Sequence, residues 1–345
     1  MFRRKFLKRF LGIGAALLSF NGFKKNAHGE LPEWLWGNKK NTPSKIKKIS
    51  KSGAKAKVII GQDKEILDKE GRARKDLARK IISESIKALA GEKDVANAWK
   101  ALFNKDDTVG IKLNCLAGRG LSPRKEVVDL IIEGLKLAGL EDEQIIVWDK
   151  VDIDLQKAGY AINYYSKGVK CFGTNRDYEP EPEITGSVGS CFSRIISKRC
   201  SAIINVPVLK DHDLAGVSIG MKNFYGAIHN PNKYHDSNCN PYVADLNSHP
   251  YIKDKLRLII CDAITAQYHG GPAYNPQWVW NFNGIIMATD PVALDRIGAK
   301  IIEDKRKEKG LSSFKEAKRE PKYIETAADL KLGNCDSGKI EVVRV

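Results

Sequence analysis

Residues 203–239 read IINVPVLKDHDLAGVSIGMKNFYGAIHNPNKYHDSNC. The stretch opens as an apolar run of strand type, with Ile203, Ile204, Val206 and Val208, and then meets three ionisable side chains, Lys210, Asp211 and His212. Asp213 is placed to cap a following helix that carries Leu214, Val217, Met221 and Tyr225 on one face. Gly216, Gly220 and Asn223 share another stripe of that helix, where a second backbone can come close. A loop with His229, His235 and Cys239 comes last. Strand, charged tip, helix and ligand-rich loop is the order of an open α/β sheet, whose sites lie at the carboxyl ends of strands.

Working outward, the same alternation recurs. Apolar runs at Lys57–Gly61, Thr108–Leu113, Gln144–Trp148, Val169–Phe172, Ala202–Val208, Leu256–Cys261 and Gly284–Ala288 read as strands, with Lys339–Val343 as a last edge strand. Glu65–Ala90, Pro123–Ala138 and Pro291–Glu303 read as helices, the last capped by Asp290 ahead of Pro291, and Ser122-Pro123 starts the second in the same way. Trp278, Trp280 and Phe282 alternate as on a strand edge or an aromatic wall, and the mixed charges of Glu303–Lys322 read as a solvated helix and loop. The expected fold is α/β: a mixed or mostly parallel sheet with helices on both faces, over residues 57–345, as a single large domain or two intimate lobes.

The N-terminus is of a different kind. Arg3-Arg4-Lys5-Phe6-Leu7-Lys8 precedes the ten-residue apolar segment Leu11–Phe20, too short for the roughly 20 residues that cross a bilayer. A basic start before a short apolar core is a secretory signal, and the arginine pair marks the twin-arginine type. Residues 1–29 are therefore expected to be a signal peptide, the export machinery a partner, and the protein periplasmic or otherwise extracytoplasmic. That segment holds seven Lys and Arg and no acid, so the formal charge of +16 for the whole chain becomes +9 without it. Residues 30–56 are rich in lysine and read as a solvated connector, open to a peripheral contact with an anionic membrane surface. They lack the interleaved aromatics and the motifs of a nucleic-acid binder, so no nucleic-acid partner is expected. The seven cysteines form no C-x-x-C and no iron–sulfur or zinc spacing, and no disulfide is assumed.

Several constellations could carry chemistry. Lys112-Leu113-Asn114 ends a strand, and the glycine-bearing loop through Arg119 to the next helix is an anion-site candidate, or an ordinary βα turn. The pattern is neither G-x-G-x-x-G nor a P-loop. Lys210 and His212 share one side of a strand, where a desolvated lysine can act as base or nucleophile with the imidazole as proton partner. The alternative is a Lys210–Asp211 salt bridge with His212 orienting a loop. Lys222 and Asn223 add to an anion site. Five of the six histidines fall between positions 212 and 269, and His229, His235 and Cys239, spaced H-x5-H-x3-C, suit zinc, iron or copper. Asp262, after an apolar strand, is placed for general-base or metal duty, or for capping a turn. His269 with Gly270 and Gly271 would close the site. Asp295, one turn into its helix, is read as a surface ion-pair partner.

Taken in order, Lys112-x-Asn114, Asn205-x-Pro207-x-Leu209-Lys210-x-His212, Gly220-Met221-Lys222-Asn223-Phe224-Tyr225-Gly226, Cys261-Asp262-Ala263, Gly270-Gly271-Pro272 and the run Gly284–Asp295 resemble the "domain of unknown function 362" family. The resemblance covers roughly residues 57–305. It is nearest to the family's stand-alone, signal-bearing branch, which also has the His-Asn-Pro, His and Cys-x-Pro elements of residues 229–241. Some relatives carry a ferredoxin-like cysteine motif. No such motif exists here, so no iron–sulfur cluster is carried over. Leu113 stands where the family usually has proline, which predicts a looser strand end.

These readings combine into an expectation: an exported α/β enzyme for a small anionic substrate, with a metal or redox cofactor and a reaction that the sequence leaves open. Lys210, His212, Lys222 and Asp262 are the candidate catalytic residues, and Lys112, Asn114, Arg119, Asn223, His269, Gly270 and Gly271 the ligand-binding ones. His229, His235 and Cys239 are the candidate metal ligands. The alternative is a non-catalytic metal- or anion-binding protein that passes electrons.

Overall fold

A computed structural model describes residues 55–345, so the expected signal peptide (residues 1–29) and nearly all of the expected connector (30–56) lie outside the described residues. The chain runs β1 (Ala56–Gln62), α1 (Lys75–Ala90), α2 (Val95–Lys100), β2 (Val109–Leu113), α3 (Lys125–Leu137), β3 (Ile145–Asp149), α4 (Asp152–Ala158) and β4 (Lys170–Gly173). A small hairpin, β5 (Glu183–Thr185) and β6 (Val188–Ser190), precedes β7 (Ala202–Val206), β8 (Val208–His212), β9 (Gly216–Ser218) and α5 (Gly220–Asn223). Then come α6 (Tyr242–Asn247), α7 (Pro250–Lys253), β10 (Leu256–Gln267), β11 (Val279–Ala288), α8 (Pro291–Glu308), α9 (Tyr323–Asp329) and β12 (Ile340–Arg344).

One sheet organises the molecule, in the order β12-β1-β11-β10-β7-β2-β3-β4, with β8 leaving β7 to pair with β10 and β9. Strands β10, β7, β2, β3 and β4 are mutually parallel, whereas β11 runs against both of its neighbours. The strands are apolar on both faces because both faces are covered. Ile59, Ile204, Ile260 and Met287 point to the side packed by α1 and α3; Ile60, Ile203, Ile259 and Ile286 point to the side packed by α8. The first and last strands share this sheet, so the described residues form a single α/β domain. Among them no helix is long and apolar enough to cross a membrane.

Several local expectations are corrected. The helix expected from Asp213 is a β-hairpin, β8–β9, and the helix proper is only the turn Gly220–Asn223. Two residues decide this. Pro207 cannot donate to a ladder, so the apolar run breaks there and β8 diverges from β7, while the Pro207 carbonyl accepts from the Asp262 N–H at 2.9 Å. Gly216 holds φ +75°, and a Cβ on it would lie 2.5 Å from the Arg319 carbonyl oxygen. The helix expected from Glu65 starts at Lys75, because Asp63 and Asp68 fold their side chains onto backbone N–H groups and turn the chain. The stretch 303–322 is not all solvated: Arg306, Phe314 and Arg319 are buried in it. Leu113, fully buried, ends β2 in regular pairing with β7, so the missing proline leaves no loose strand end.

Candidate functional site

The parallel register sets Lys112 beside Asn205 and Trp148, so the tips of β2, β7 and β3 end together. Beyond them, roofed by the segment after α5, lies a cavity of about 630 Å³. Lys112, Asn114, Lys210, His212, Lys222 and Asn223 all line it. Strand tips far apart in sequence are thus brought together.

Its floor is a closed network. Lys112, 1% exposed, donates from Nζ to Asp149 Oδ1 at 2.7 Å, to Asn223 Oδ1 at 3.0 Å and to the Leu113 carbonyl at 2.5 Å. The second Asp149 oxygen accepts from the Cys115 N–H at 2.7 Å. Asn223 Nδ2 donates to Asn205 Oδ1 at 2.7 Å, and Asn205 Nδ2 to the Gly220 carbonyl at 2.7 Å. A buried ion pair is tolerated when its polar atoms are satisfied in this way. The backbone of Gly226 closes over the pair, and a Cβ there would sit 2.7 Å from Lys112 Nζ.

Two further amines are differently placed. Lys210, fully buried, has Asn114 Oδ1 as its hydrogen-bond partner at 3.1 Å. Lys222, also buried, meets His235 Nε2 at 3.1 Å and lies 4.0 Å from the Tyr225 ring centroid, with the Cys239 thiol also in hydrogen-bonding reach. Neither has a carboxylate partner comparable to Asp149. Burial therefore pushes each from the usual lysine range down to about 8. The histidines are fixed by their partners. His212 Nδ1 accepts from the Leu214 and Ala215 N–H groups at 3.2 and 3.3 Å, so the neutral ring carries its proton on Nε2. Burial first, then the neighbouring Lys222, the His235 ring and Lys210, hold its pKa down at about 2. His235 Nδ1 donates to the Pro231 carbonyl at 3.1 Å, leaving Nε2 as acceptor for Lys222. The two rings stack at 5.6 Å.

The sequence reading stopped β3 at Trp148 and missed the next two residues. Asp149 is the counter-charge of the floor. Lys150 donates to the Ile228 and His229 carbonyls at 2.7 and 2.9 Å and to Tyr178 Oη at 3.1 Å, tying the loop over the cavity; burial lowers its pKa to about 8. Asp154, whose pKa is raised by burial, lines the same wall. Continuing the strand to its charged end would have found Asp149 and the adjoining Lys150, whereas Asp154 lies on α4 and carried no such signal.

The proposed metal trio does not assemble. His235 uses both ring nitrogens as above, and His229 turns its ring edge to Tyr178 at 5.3 Å. Ser237, Asn238 and Cys239 all adopt positive φ, a left-handed turn that buries the thiol beneath Lys222 and Tyr225. Burial raises its pKa despite the nearby ammonium. Among the described residues no group of three His, Cys, Asp or Glu side chains is arranged to hold a metal ion.

Other candidates lie elsewhere. Asp262 falls in the middle of β10, not at a strand end; its carboxylate accepts from the Arg124 N–H at 2.7 Å and the Ile264 N–H at 3.1 Å, anchoring the start of α3. Arg119 is exposed and packs near Gly159. His269 Nδ1 faces Arg306 and Arg319 at 3.2 and 3.4 Å. Gly270 turns at φ +71°, and the Gly271 N–H donates to Asp211 Oδ1 at 2.8 Å, so these residues shape the rim, with Pro272 at the cavity wall. Asp211 pairs with Arg319 at 2.9 Å, not with Lys210. Asp295 is not on the surface: fully buried, it accepts from the Gly220 and Met221 N–H groups at 2.7 and 3.1 Å and fixes the turn that carries Lys222. A second cavity of about 640 Å³ lies by β5 and α7; Glu179 and Glu183 there are held by Lys198, Ser197 and His249, and its one buried amine, Lys255, donates to the Ile196 and Ser197 carbonyls at 2.5 and 3.3 Å.

The fold and the site define a class: an α/β protein with a cation-lined cavity at the carboxyl ends of parallel strands. The chain matches the model of "Domain of unknown function (DUF362)" over residues 109–300, more than half its length, and belongs to that family. A search of curated proteins finds no match to it.

Proposed function

We propose that this is an exported α/β protein that binds a small anion in the cavity and transfers a proton on it. The observation that carries this reading is the pair Lys210 and Lys222: two buried amines without carboxylate partners, facing one cavity beside a neutralised Lys112–Asp149 pair. A carboxylate would satisfy them at lower cost if structure alone were served, so a ligand's charge is the natural partner. With a pKa of about 8, Lys210 is neutral in roughly a tenth of molecules at pH 7 and can accept a proton, while His212 Nε2–H is a donor to developing negative charge. Export rests on the twin-arginine pattern of residues 1–29. No metal is proposed at His229, His235 and Cys239: both His235 ring nitrogens are hydrogen-bonded and the Cys239 thiol is buried against Lys222 and Tyr225.

The test is calorimetric titration of the full chain with a panel of small anions, repeated on Lys210→Met and Lys222→Met. Affinity in the micromolar to millimolar range that falls at least tenfold in either variant supports the reading; binding that ignores both substitutions refutes it. Proton transfer is tested separately, by turnover on any anion that binds, with Lys210→Met expected to bind weakly and fail to turn over.

A further inference from the structure

Resting on the anion-binding reading above, the donor inventory of the cavity specifies the anion further. An ammonium has three N–H donors. Among the described residues, Lys210 has one partner, Asn114 Oδ1, and so leaves two donors; Lys222 has two, His235 Nε2 and the Cys239 thiol, and leaves one. His212, whose Nδ1 takes two backbone N–H groups, adds Nε2–H. Four donors and two formal positive charges therefore border the same cavity. A carboxylate brings two oxygens and one charge and would leave one ammonium uncompensated. A terminal phosphoryl group brings three oxygens and close to two charges at pH 7, and matches the set.

The rest of the wall argues against a second anionic group. Lys112 is neutralised by Asp149, and the three donors of Lys150 are engaged by Ile228, His229 and Tyr178. Asp154 faces the cavity from that side with a carboxyl that repels anions and accepts from hydroxyls. Leu116, 65% exposed, offers an apolar patch at the mouth. A volume of about 630 Å³ holds far more than one phosphoryl group.

We infer that the ligand is a phosphomonoester: a terminal phosphoryl dianion seated on Lys210, Lys222 and His212 Nε2–H, with a hydroxylated organic remainder extending past Asp154 and Leu116.

The experiment is calorimetry on the purified full chain at pH 7 with glycerol 3-phosphate, inorganic phosphate, malonate and acetate. Expected is binding of glycerol 3-phosphate at least tenfold tighter than malonate and at least a hundredfold tighter than acetate, with inorganic phosphate between. Inorganic phosphate tighter than glycerol 3-phosphate would overturn the esterified ligand and leave a free-phosphate site. Malonate or acetate binding as tightly as either phosphate would overturn the phosphoryl inference while leaving the anion reading intact. No binding by any of the four would overturn both. All these outcomes are read on the unaltered chain, so none depends on a variant folding.

Discussion

Replacing Lys210 by methionine should make the ligand-free protein more stable. The amine is fully buried, its hydrogen-bond partner is an amide oxygen, and its pKa falls from 10.5 to about 8. A lysine whose folded pKa is depressed binds its proton less tightly in the native state than in the unfolded one. Its charge therefore costs stability, in full below about pH 8, and the cost fades as pH rises towards 10.5. At about 1.4 kcal/mol per pKa unit the penalty is roughly 3 kcal/mol at pH 7 and about half of that at pH 9.5. Methionine has a similar length and no charge, and the lost Asn114 bond returns about 1 kcal/mol, since Asn114 is only half-buried and water can replace the amine. The net expectation is a gain of roughly 2 kcal/mol at pH 7, measured by urea unfolding, shrinking to below about 1 kcal/mol at pH 9.5. A variant that is less stable than the wild type at pH 7, or a difference that does not change with pH, refutes the claim that an uncompensated ammonium sits there.

The same lysines set the pH response of binding: an anion needs them charged, so affinity should hold between pH 6 and 7.5 and fall above pH 8, by up to tenfold per unit for each amine, in calorimetric titrations. Arg319→Met should destabilise by about 3–5 kcal/mol in urea unfolding, because it strands the fully buried Asp211 carboxylate and with it the Gly271 turn at the rim. Asp149→Asn should cost a similar amount by freeing the Lys112 charge. That third uncompensated ammonium should make phosphate raise the melting temperature of the variant more than that of the wild type; an equal shift would mean that Lys112 does not reach the ligand.

How much of this was legible in the sequence depends on whether a signal was local. Ile203–Val206 or Ile145–Trp148 could only be buried strands, and the alternation with helices gave the α/β class and the edge position of the last strand. The shared cavity of Lys112, Lys210 and Lys222 followed from their positions at strand and helix tips. What failed were contacts made at long range. Asp262 looks like a strand-end carboxylate only because Ala263–Gln267 is less apolar than what precedes it; pairing with β11 carries β10 through it, and the start of α3 claims both oxygens. Arg319 sits in a run of charges that composition reads as solvated, yet it is drawn inside by Asp211, more than a hundred residues earlier. His229, His235 and Cys239 have a ligand-like spacing, but spacing carries no information about three successive left-handed residues that bury the thiol beneath Lys222 and Tyr225.

These failures have a common sense. The buried carboxylates hold the frame, whether the sequence offered them as chemistry (Asp262), as ion-pair partners (Asp211, Asp295) or not at all (Asp149): Asp262 anchors α3, Asp211 the rim, Asp295 the turn before Lys222 and Asp149 the floor. Two buried lysines lack any comparable partner. A fold that gives each of these carboxylates two or more hydrogen bonds, and leaves two buried ammonium groups at one cavity without a carboxylate partner, has its stability minimum where an anion is bound. Ligand and scaffold are therefore coupled thermodynamically: whatever raises affinity for the anion, such as Asp149→Asn, should lower the stability of the empty protein, and whatever stabilises the empty protein, such as Lys210→Met, should lower affinity. Opposite signs in the two measurements distinguish a binding site from an accident of packing, in which a lysine substitution would change stability alone.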